Sequence, residues 1–309
     1  MLSDRLTKLL GVRYPVIQGG MAWVSDACLA AAVSNAGGLG VIAGGSADAD
    51  TVRAEIRRLR TLCDRPFGLN IMLMSDHAGD LARLAIEEKV PVVITGAGSP
   101  SRFMGGWKEA GLLILPVVPS ASLARRMEKL GADAIIAEGG ESGGHIGEMN
   151  TMALIPQVAD AVDIPVVAAG GVADGRGLAA ALMLGADGVQ CGTCFLVADE
   201  CGIHDNYKDM IIAARDTGTV VTGRSGQGHP VRQLKNPMTR RFLEMEKRGA
   251  SERELEEFVL GSLRLATQQG DREHGSFMAG QIAGLVKGRA GAKEIIEGMV
   301  QQARLLLGE

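Results

Sequence analysis

The segment GGESGGHIG at 139–147 places one histidine, His145, among glycines, and Glu138 stands directly before it. An imidazole exchanges protons near neutral pH, so a histidine that a loop presents to a ligand can act as a general acid or base. A lone histidine is more often structural, but this glycine-rich setting favours contact with a ligand. We therefore predict a catalytic role for His145.

The stretch TGRSGQGHPVR at 222–232 carries a second histidine in a glycine-rich setting, His229. We predict that His229 contacts substrate or nucleotide. The remaining histidines, His77, His204 and His274, lack such a setting.

Two further glycine-rich turns follow apolar runs, AAGG at 168–171 and QCGT at 190–193. Glycine lets backbone N–H groups approach a phosphate closely, and a threonine hydroxyl adds one donor. Loops after the last strands of a barrel commonly hold phosphate, so we predict a phosphate site here, although the glycines could serve tight turns alone. The predicted members are Gly170, Gly171, Gln190, Cys191, Gly192 and Thr193.

Cysteine usage and the N-terminal residues indicate a reducing compartment. The chain has five cysteines, an odd number that does not suit a disulfide framework. Cys191 and Cys194 form a single CxxC without a second pair or histidines at ligand spacing, so no metal site is predicted. Residues 1–15 lack a secretory pattern and no long uncharged apolar run occurs, so we expect a cytoplasmic protein.

Composition narrows the class of ligand. The 309 residues are 46% hydrophobic and 22% charged, with a formal net charge of −4. These values exclude a disordered or collagen-like chain. Charges of both signs are spread without long blocks, which argues against nucleic acid and against an anionic membrane as partners. A small-molecule ligand is therefore expected.

Eight short apolar runs alternate with segments of helical spacing. Several runs are continuous, as expected where helices cover both faces of a parallel sheet. Eight strand–helix units favour a (β/α)8 TIM barrel, with an open doubly wound sheet as the alternative. The runs are Tyr14–Gln18, Leu39–Ile42, Phe67–Ile71, Val90–Thr95, Leu112–Val118, Ala134–Glu138, Pro165–Ala169 and Gly188–Cys191. The predicted helices include Asp50–Cys63, His77–Glu88, Ser120–Leu130 and Asp174–Leu184.

The strand–helix rhythm stops near Phe195 and returns only at the end of the chain. We interpret 196–271 as an inserted helical lid over the barrel mouth, with a charged helical segment at Arg240–Arg264. The last stretch, Ala279–Leu307, is predicted as helix that completes the outer layer. Residues 1–309 are thus expected to form a single domain. The match of residues 38–43 to GxGxxA leads into a strand, which excludes a Rossmann fingerprint.

Eight segments together resemble a known family over essentially the whole chain. They are YPVIQGGMAWV at 14–24, AGGLGVI at 36–42, RPFGLNIMLM at 65–74, TGAGSPS at 95–101, PVVPS at 116–120, EGGESGGHIG at 138–147, AAGGVADGRG at 168–177 and GSFMAGQIAGLV at 275–286. In this order they resemble the FMN-dependent enoyl-acyl-carrier-protein reductase II, of the nitronate monooxygenase (2-nitropropane dioxygenase-like) superfamily.

The resemblance implies a TIM barrel that holds FMN and reduces trans-2-enoyl-acyl-carrier-protein with NADH or NADPH, in bacterial fatty acid synthesis. His145 matches the active-site histidine of that family, and Met278 suits an acyl chain. The resemblance also implies a homodimer and a possible monovalent cation. The residues implied on the flavin side are Gly20, Met21, Ala22, Asn70, Glu138 and Gly143. Those implied near its phosphate are Gly170, Gly171, Gln190, Cys191, Gly192 and Thr193.

Other functions stay open at this stage. A nitronate monooxygenase would share barrel, FMN and histidine but would oxidise alkyl nitronates with O2. A barrel similar to inosine-monophosphate dehydrogenase would need a cysteine on the loop that carries His145. A flavin- or nucleotide-binding sensor without turnover is the non-enzymatic alternative. Cys194 stands where the family usually has arginine, which predicts weaker FMN binding if that arginine contacts the phosphate.

Overall fold

The computed structural model describes residues 4–45, 47–224 and 230–309. Its strands are β1 (Val16–Gln18), β2 (Gly40–Ala43), β3 (Phe67–Met72), β4 (Val92–Gly96), β5 (Leu113–Val118), β6 (Ile135–Glu138), β7 (Gly144–His145), β8 (Val166–Ala169), β9 (Gly188–Cys191), β10 (Thr219–Thr222) and β11 (Val231–Leu234).

Eight of these strands form one parallel sheet in the order β1, β9, β8, β6, β5, β4, β3, β2. A parallel bridge between Ile17 and Leu39 joins the two end strands, so the sheet closes. Each of the eight apolar runs overlaps one of these strands. The predicted (β/α)8 TIM barrel is therefore confirmed.

Helices surround the barrel. They are α1 (Arg5–Leu10), α2 (Ala27–Asn35), α3 (Ala49–Leu62), α4 (Ala78–Glu87), α5 (Ser101–Glu109), α6 (Ala121–Lys129), α7 (Thr151–Ala159), α8 (Gly175–Met183), α9 (Thr193–Leu196), α10 (Asp205–Ile212), α11 (Pro237–Lys247), α12 (Glu252–Val259), α13 (Ser262–Arg264) and α14 (Ala292–Leu307). Helices α3 and α6 begin where Asp48 and Ser120 accept hydrogen bonds from the amides of Thr51 and Leu123. The predicted segments Asp50–Cys63 and Ser120–Leu130 therefore match α3 and α6 to within about one residue at each end.

Strand side chains divide between two buried clusters. In β4, Val92 and Ile94 belong to the cluster inside the barrel, whereas Val93 belongs to the cluster between sheet and helices. This alternation of two apolar faces produces the continuous apolar runs in the sequence. Helix α1 adds Leu6 and Leu10 to the interior cluster, which closes the end of the barrel opposite the strand carboxyl ends.

The inserted segment 196–271 is less helical than predicted. Strands β10 and β11 form an antiparallel hairpin, and β11 also pairs with β7, where Val231 lies opposite His145. The pairing of β11 with β7 was not predicted, because β7 is two residues long and lies far away in sequence. A second sheet, of three strands, therefore joins the insertion to the loop predicted to be catalytic.

Two helical predictions need correction. The charged segment Arg240–Arg264 is broken because Gly249 and Gly261 adopt left-handed conformations, with φ of 75° and 77°. Within Ala279–Leu307, only α14 is α-helical, and a 3₁₀ segment at Gln281–Leu285 precedes it. No helix in the described parts of the chain is both long and apolar enough to cross a membrane.

Replacing Leu6 by alanine tests whether the side chains that α1 packs into the barrel interior stabilise the fold. Leu6 is fully buried, and its removal leaves a cavity inside a closed sheet. We expect the free energy of unfolding in urea to fall by about 2–5 kcal/mol. The control Leu305→Ala, at a side chain that is 71% exposed, should change it by less than about 0.5 kcal/mol. Equal effects of the two substitutions would contradict this role of α1.

Candidate active site

A cavity of about 430 Å³ opens at the carboxyl ends of the barrel strands. This volume and position are typical of ligand sites in barrel enzymes. The described sequence-predicted site residues all line this cavity, and His229 lies outside the described residues. The lining residues that the sequence predicted are Gly20, Met21, Ala22, Asn70, Glu138, Gly143, His145, Gly170, Gly171, Gln190, Cys191, Gly192, Thr193 and Met278.

The loop after β1 is held by one serine. The Ser25 hydroxyl accepts the amide of Met21 at 2.9 Å and donates to the carbonyl of Gly19 at 3.2 Å. The Gln18 side chain donates to the same hydroxyl at 2.8 Å. These bonds fix the backbone that carries Gly20 and Met21 at the cavity wall.

Glycine is required at two places where separate segments meet. A Cβ on Gly20 would lie 2.3 Å from the Cβ of Asn70. A Cβ on Gly143 would lie 2.7 Å from the carbonyl carbon of Ala279 and from the nitrogen of Gly280. The loop after β6 and the run near residue 280 therefore touch through their backbones.

The loop that carries His145 is held from the insertion by an arginine that the sequence analysis did not select. Arg232 on β11 is buried, and its Nε and Nη2 donate to the carbonyl of Gly140 at 3.1 and 3.0 Å. The Ile146 amide donates to the carbonyl of Pro230 at 3.1 Å. His145, between these anchors, is exposed at the cavity mouth.

The glycine turns after β8 and β9 expose backbone to the cavity. Gly170 and Gly171 have φ of 89° and 75°, which few other residues adopt. The Thr193 hydroxyl accepts the amide of Gly280 at 2.9 Å, which leaves its O–H as a donor. The cavity wall contains no lysine or arginine among the residues that the structure describes. An anionic group would therefore be held by backbone N–H groups.

Cys194 does not lie in the cavity wall. Its side chain is buried in the core between sheet and helices, next to Cys191. Hydrogen bonding to Cys194, together with burial, raises the pKa of the Cys191 thiol well above its ordinary value. The Cys191 thiol therefore stays protonated near neutral pH. Within the described chain, no cluster of three or more His, Cys, Asp or Glu side chains is arranged to hold a metal ion.

Two polar side chains that line the cavity, those of Gln190 and Glu138, have few hydrogen-bond partners among the described residues. The Gln190 side-chain oxygen is buried and has no hydrogen-bond partner among the described residues, so it is positioned to accept from a ligand. Burial raises the pKa of the Glu138 carboxyl from its ordinary 4.5 to about 7, against a lowering by the Ser142 hydroxyl. Glu138 is therefore a proton-exchanging group near neutral pH.

Several lining residues were not predicted from the sequence. Glu141 accepts from the amide of Thr151 at 2.9 Å and from its hydroxyl at 2.8 Å, which caps α7. The Tyr207 hydroxyl donates to the carbonyl of Met278 at 2.7 Å. Trp23 and Ala97 have positive φ values that no sequence pattern signals. The other unpredicted lining residues include Val117, Ser142, Leu196, Leu263, Gly280 and Ile282.

The raised pKa of Glu138 predicts a pH-dependent stability. The folded chain holds this proton more tightly than the unfolded chain, so the stabilisation is complete below pH 4.5 and is lost as pH rises through about 7. The loss should reach up to about 3 kcal/mol in the free energy of unfolding, measured in urea without added ligand. Glu138→Gln should flatten this decline, whereas the exposed control Glu256→Gln should keep it. An identical pH dependence in wild type and Glu138→Gln would contradict the assignment.

Comparison with known proteins assigns the chain to a family. The protein-family model described as nitronate monooxygenase matches residues 3–302 of this chain. FabK from Thermotoga maritima is 49% identical with a TM-score of 0.96, covering 98% of this chain and 97% of that one. A hydroxy-methyl-oxo-octahydroindene-carboxyl-CoA dehydrogenase from Mycobacterium tuberculosis is 36% identical, covering 98% and 96%. A probable nitronate monooxygenase from Staphylococcus saprophyticus is 34% identical, covering 99% of both. The chain belongs to the nitronate monooxygenase family of oxidoreductases.

Proposed function

We propose that this protein is an FMN-dependent enoyl-acyl-carrier-protein reductase that uses NADH or NADPH. The observation that carries the proposal is the 49% identity with FabK, an enoyl-acyl-carrier-protein reductase II, over 98% of the chain. The cavity supports it, because every described residue that the resemblance implicated lines this one cavity.

The cavity residues fit a flavin mononucleotide. The unpartnered Gln190 oxygen offers an acceptor for an N–H or O–H of the ligand, and the Asn70 side chain lies against the backbone of Gly20 on the same wall. The turns at Gly170–Gly171 and Gly192–Thr193 offer backbone donors to a phosphate. Met21, which lines the wall beside Gly192, provides an apolar surface for a planar ring.

A bound flavin supplies hydride transfer between a nicotinamide and a substrate carbon. Reduction of an enoyl thioester adds hydride at the β-carbon, places negative charge on the thioester oxygen and requires a proton at the α-carbon. His145, presented at the cavity mouth by β7, is proposed to donate a hydrogen bond to that oxygen or a proton to that carbon. Glu138 lies deeper in the same cavity and can exchange a proton near neutral pH.

One side of the cavity suits an acyl chain. Apolar side chains from the β3 and β5 strands and from the insertion line it together with Met278, and the Tyr207 hydroxyl is occupied by the Met278 carbonyl. We propose that 196–271 acts as a lid within a single FMN-binding unit over 1–309, and that acyl carrier protein delivers the substrate. The homodimer, the monovalent cation and the cytoplasmic location implied by the resemblance stay predictions.

Nitronate monooxygenase is the second candidate, because the matching family model and the Staphylococcus saprophyticus relative carry that name. Both reactions need the flavin and a histidine. They differ in whether the substrate is an enoyl thioester reduced with NAD(P)H or an alkyl nitronate oxidised with O2. The Mycobacterium tuberculosis relative is named for a CoA thioester, which favours a thioester substrate.

Steady-state turnover of the purified holoprotein distinguishes the two candidates. NADH or NADPH oxidation should depend on crotonyl-acyl-carrier-protein, and mass spectrometry should find the product two hydrogens heavier than the substrate. O2 consumption with propyl-2-nitronate should be slower by at least about tenfold in kcat/KM. Faster turnover of the nitronate without NAD(P)H would overturn the proposal and select the monooxygenase.

His145→Ala should keep FMN and lose enoyl reduction. Removing a positioned acid or hydrogen-bond donor lowers kcat by about 10²- to 10⁴-fold, while the flavin contacts on the glycine turns stay intact. Flavin absorbance per protein reports FMN, and crotonyl thioester turnover reports activity. The control His274→Ala alters an exposed histidine paired with Asp271 and should leave both unchanged. Normal turnover by His145→Ala would remove His145 from the mechanism.

Gly20→Ala should abolish FMN retention. The added methyl group would lie 2.3 Å from the Asn70 Cβ, so the loop after β1 must move away from the proposed flavin wall. Flavin content after purification is the readout. Gly298→Ala is the matched control, because a Cβ there meets no atom within 4 Å. Full flavin content in Gly20→Ala would show that this backbone approach is not needed for binding.

A further inference from the structure

Trp23 stands at the cavity rim in a backbone conformation that its side chain type rarely adopts. Its φ is 63°, in the left-handed region, where a bulky aromatic residue is strained. The side chain lines the cavity and is also 49% exposed. An indole in this position offers a flat apolar surface to whatever enters the cavity.

The turn that carries Trp23 is rigidly held. The Ser25 hydroxyl fixes the Met21 amide, and the amides of Val24 and Ser25 both donate to the Met21 carbonyl, at 3.1 and 2.9 Å. The Ala43 amide donates to the Ser25 carbonyl at 3.0 Å. The backbone that carries the indole is therefore held in place by the fold before any ligand arrives.

A cation from the insertion lies against the indole. The Arg264 guanidinium carbon is 5.5 Å from the centroid of the Trp23 ring, and its Nε donates to the Gln268 side-chain oxygen at 2.9 Å. Arg264 ends α13 and leads into a π-helical segment at Leu265–Gln269. Such segments are rare and frequently mark functional sites. The His204 amide anchors this one through a 2.8 Å bond to the Thr267 carbonyl.

An aromatic surface beside an exposed cation matches a ligand that combines a flat base with negative charge. Besides FMN, which we assign to the cavity itself, the proposed reaction requires one such ligand, NAD(P)H. The described residues of the cavity wall offer no lysine or arginine to its pyrophosphate. A pantetheine thioester carries no flat ring to stack. We infer that Trp23 and Arg264 form the docking site for the adenosine diphosphate part of NAD(P)H, an inference that rests on the proposed function.

Calorimetric titration of the holoprotein with ADP-ribose tests the site without turnover. Trp23→Leu should weaken ADP-ribose binding about tenfold or more, because base–aromatic stacking is lost, whereas Trp23→Phe should weaken it less than about threefold. Arg264→Gln should weaken it about fivefold or more. The control Arg253→Gln, at an exposed arginine paired with Glu257, should leave it unchanged. No binding to wild type, or equal Kd values in all variants, would overturn the inference.

The two half-reactions supply a second readout. In anaerobic rapid mixing, Trp23→Leu should raise the apparent Kd for NADH but not for reduced nicotinamide mononucleotide, which lacks the adenosine. Reoxidation by crotonyl-N-acetylcysteamine should be unchanged. Equal damage to both half-reactions would contradict a docking role. If wild type binds ADP-ribose through Trp23 but no enoyl thioester reoxidises the flavin, the docking site stands and the proposed function fails.

Discussion

Closure of the parallel sheet is the constraint on which the rest of the structure depends. Once β2 returns to β1, all eight carboxyl ends share one rim, and every loop that carries a candidate group meets there. Closure also needs helices to lie directly on strands. A Cβ on Gly40 would lie 1.8 Å from the Ala30 carbonyl oxygen, and one on Gly188 would lie 2.5 Å from Leu6. Glycines at these strand ends therefore serve the barrel rather than the ligand.

The rim has an unusual electrostatic character. The described side chains that line the cavity include the carboxyl groups of Glu138 and Glu141 and the imidazole of His145, but no lysine or arginine. A phosphate would rely on backbone N–H groups, whose dipoles are fixed in place by the turns. The Glu141 carboxylate accepts a hydrogen bond from the amide of Thr151, the first residue of α7, which limits its repulsion of an anion. Because burial raises the pKa of Glu138 to about 7, this carboxyl group is partly protonated, and so partly uncharged, near neutral pH.

Elements whose signals are local could be predicted from the sequence. Continuous apolar runs identified all eight barrel strands, and helical spacing located α3 and α6. The pairing of β11 with β7 was missed because it joins Val231 to His145 and Arg232 to Gly144, residues that lie far apart in sequence. The same limit applies to the site. Glycine turns and His145 are visible as motifs, whereas Arg232 and the contact of Trp23 with Arg264 exist only after distant segments fold together.

Anaerobic double-mixing spectroscopy tests the central claim that this cavity passes hydride from a nicotinamide to an enoyl thioester. Flavin absorbance near 450 nm is followed as NADH or NADPH is added, and crotonyl thioester is added after the colour is lost. We expect NAD(P)H to bleach the flavin absorbance and the thioester to restore it fully. Bleaching without recovery on the thioester, or bleaching by a nitronate but not by NAD(P)H, would contradict this claim.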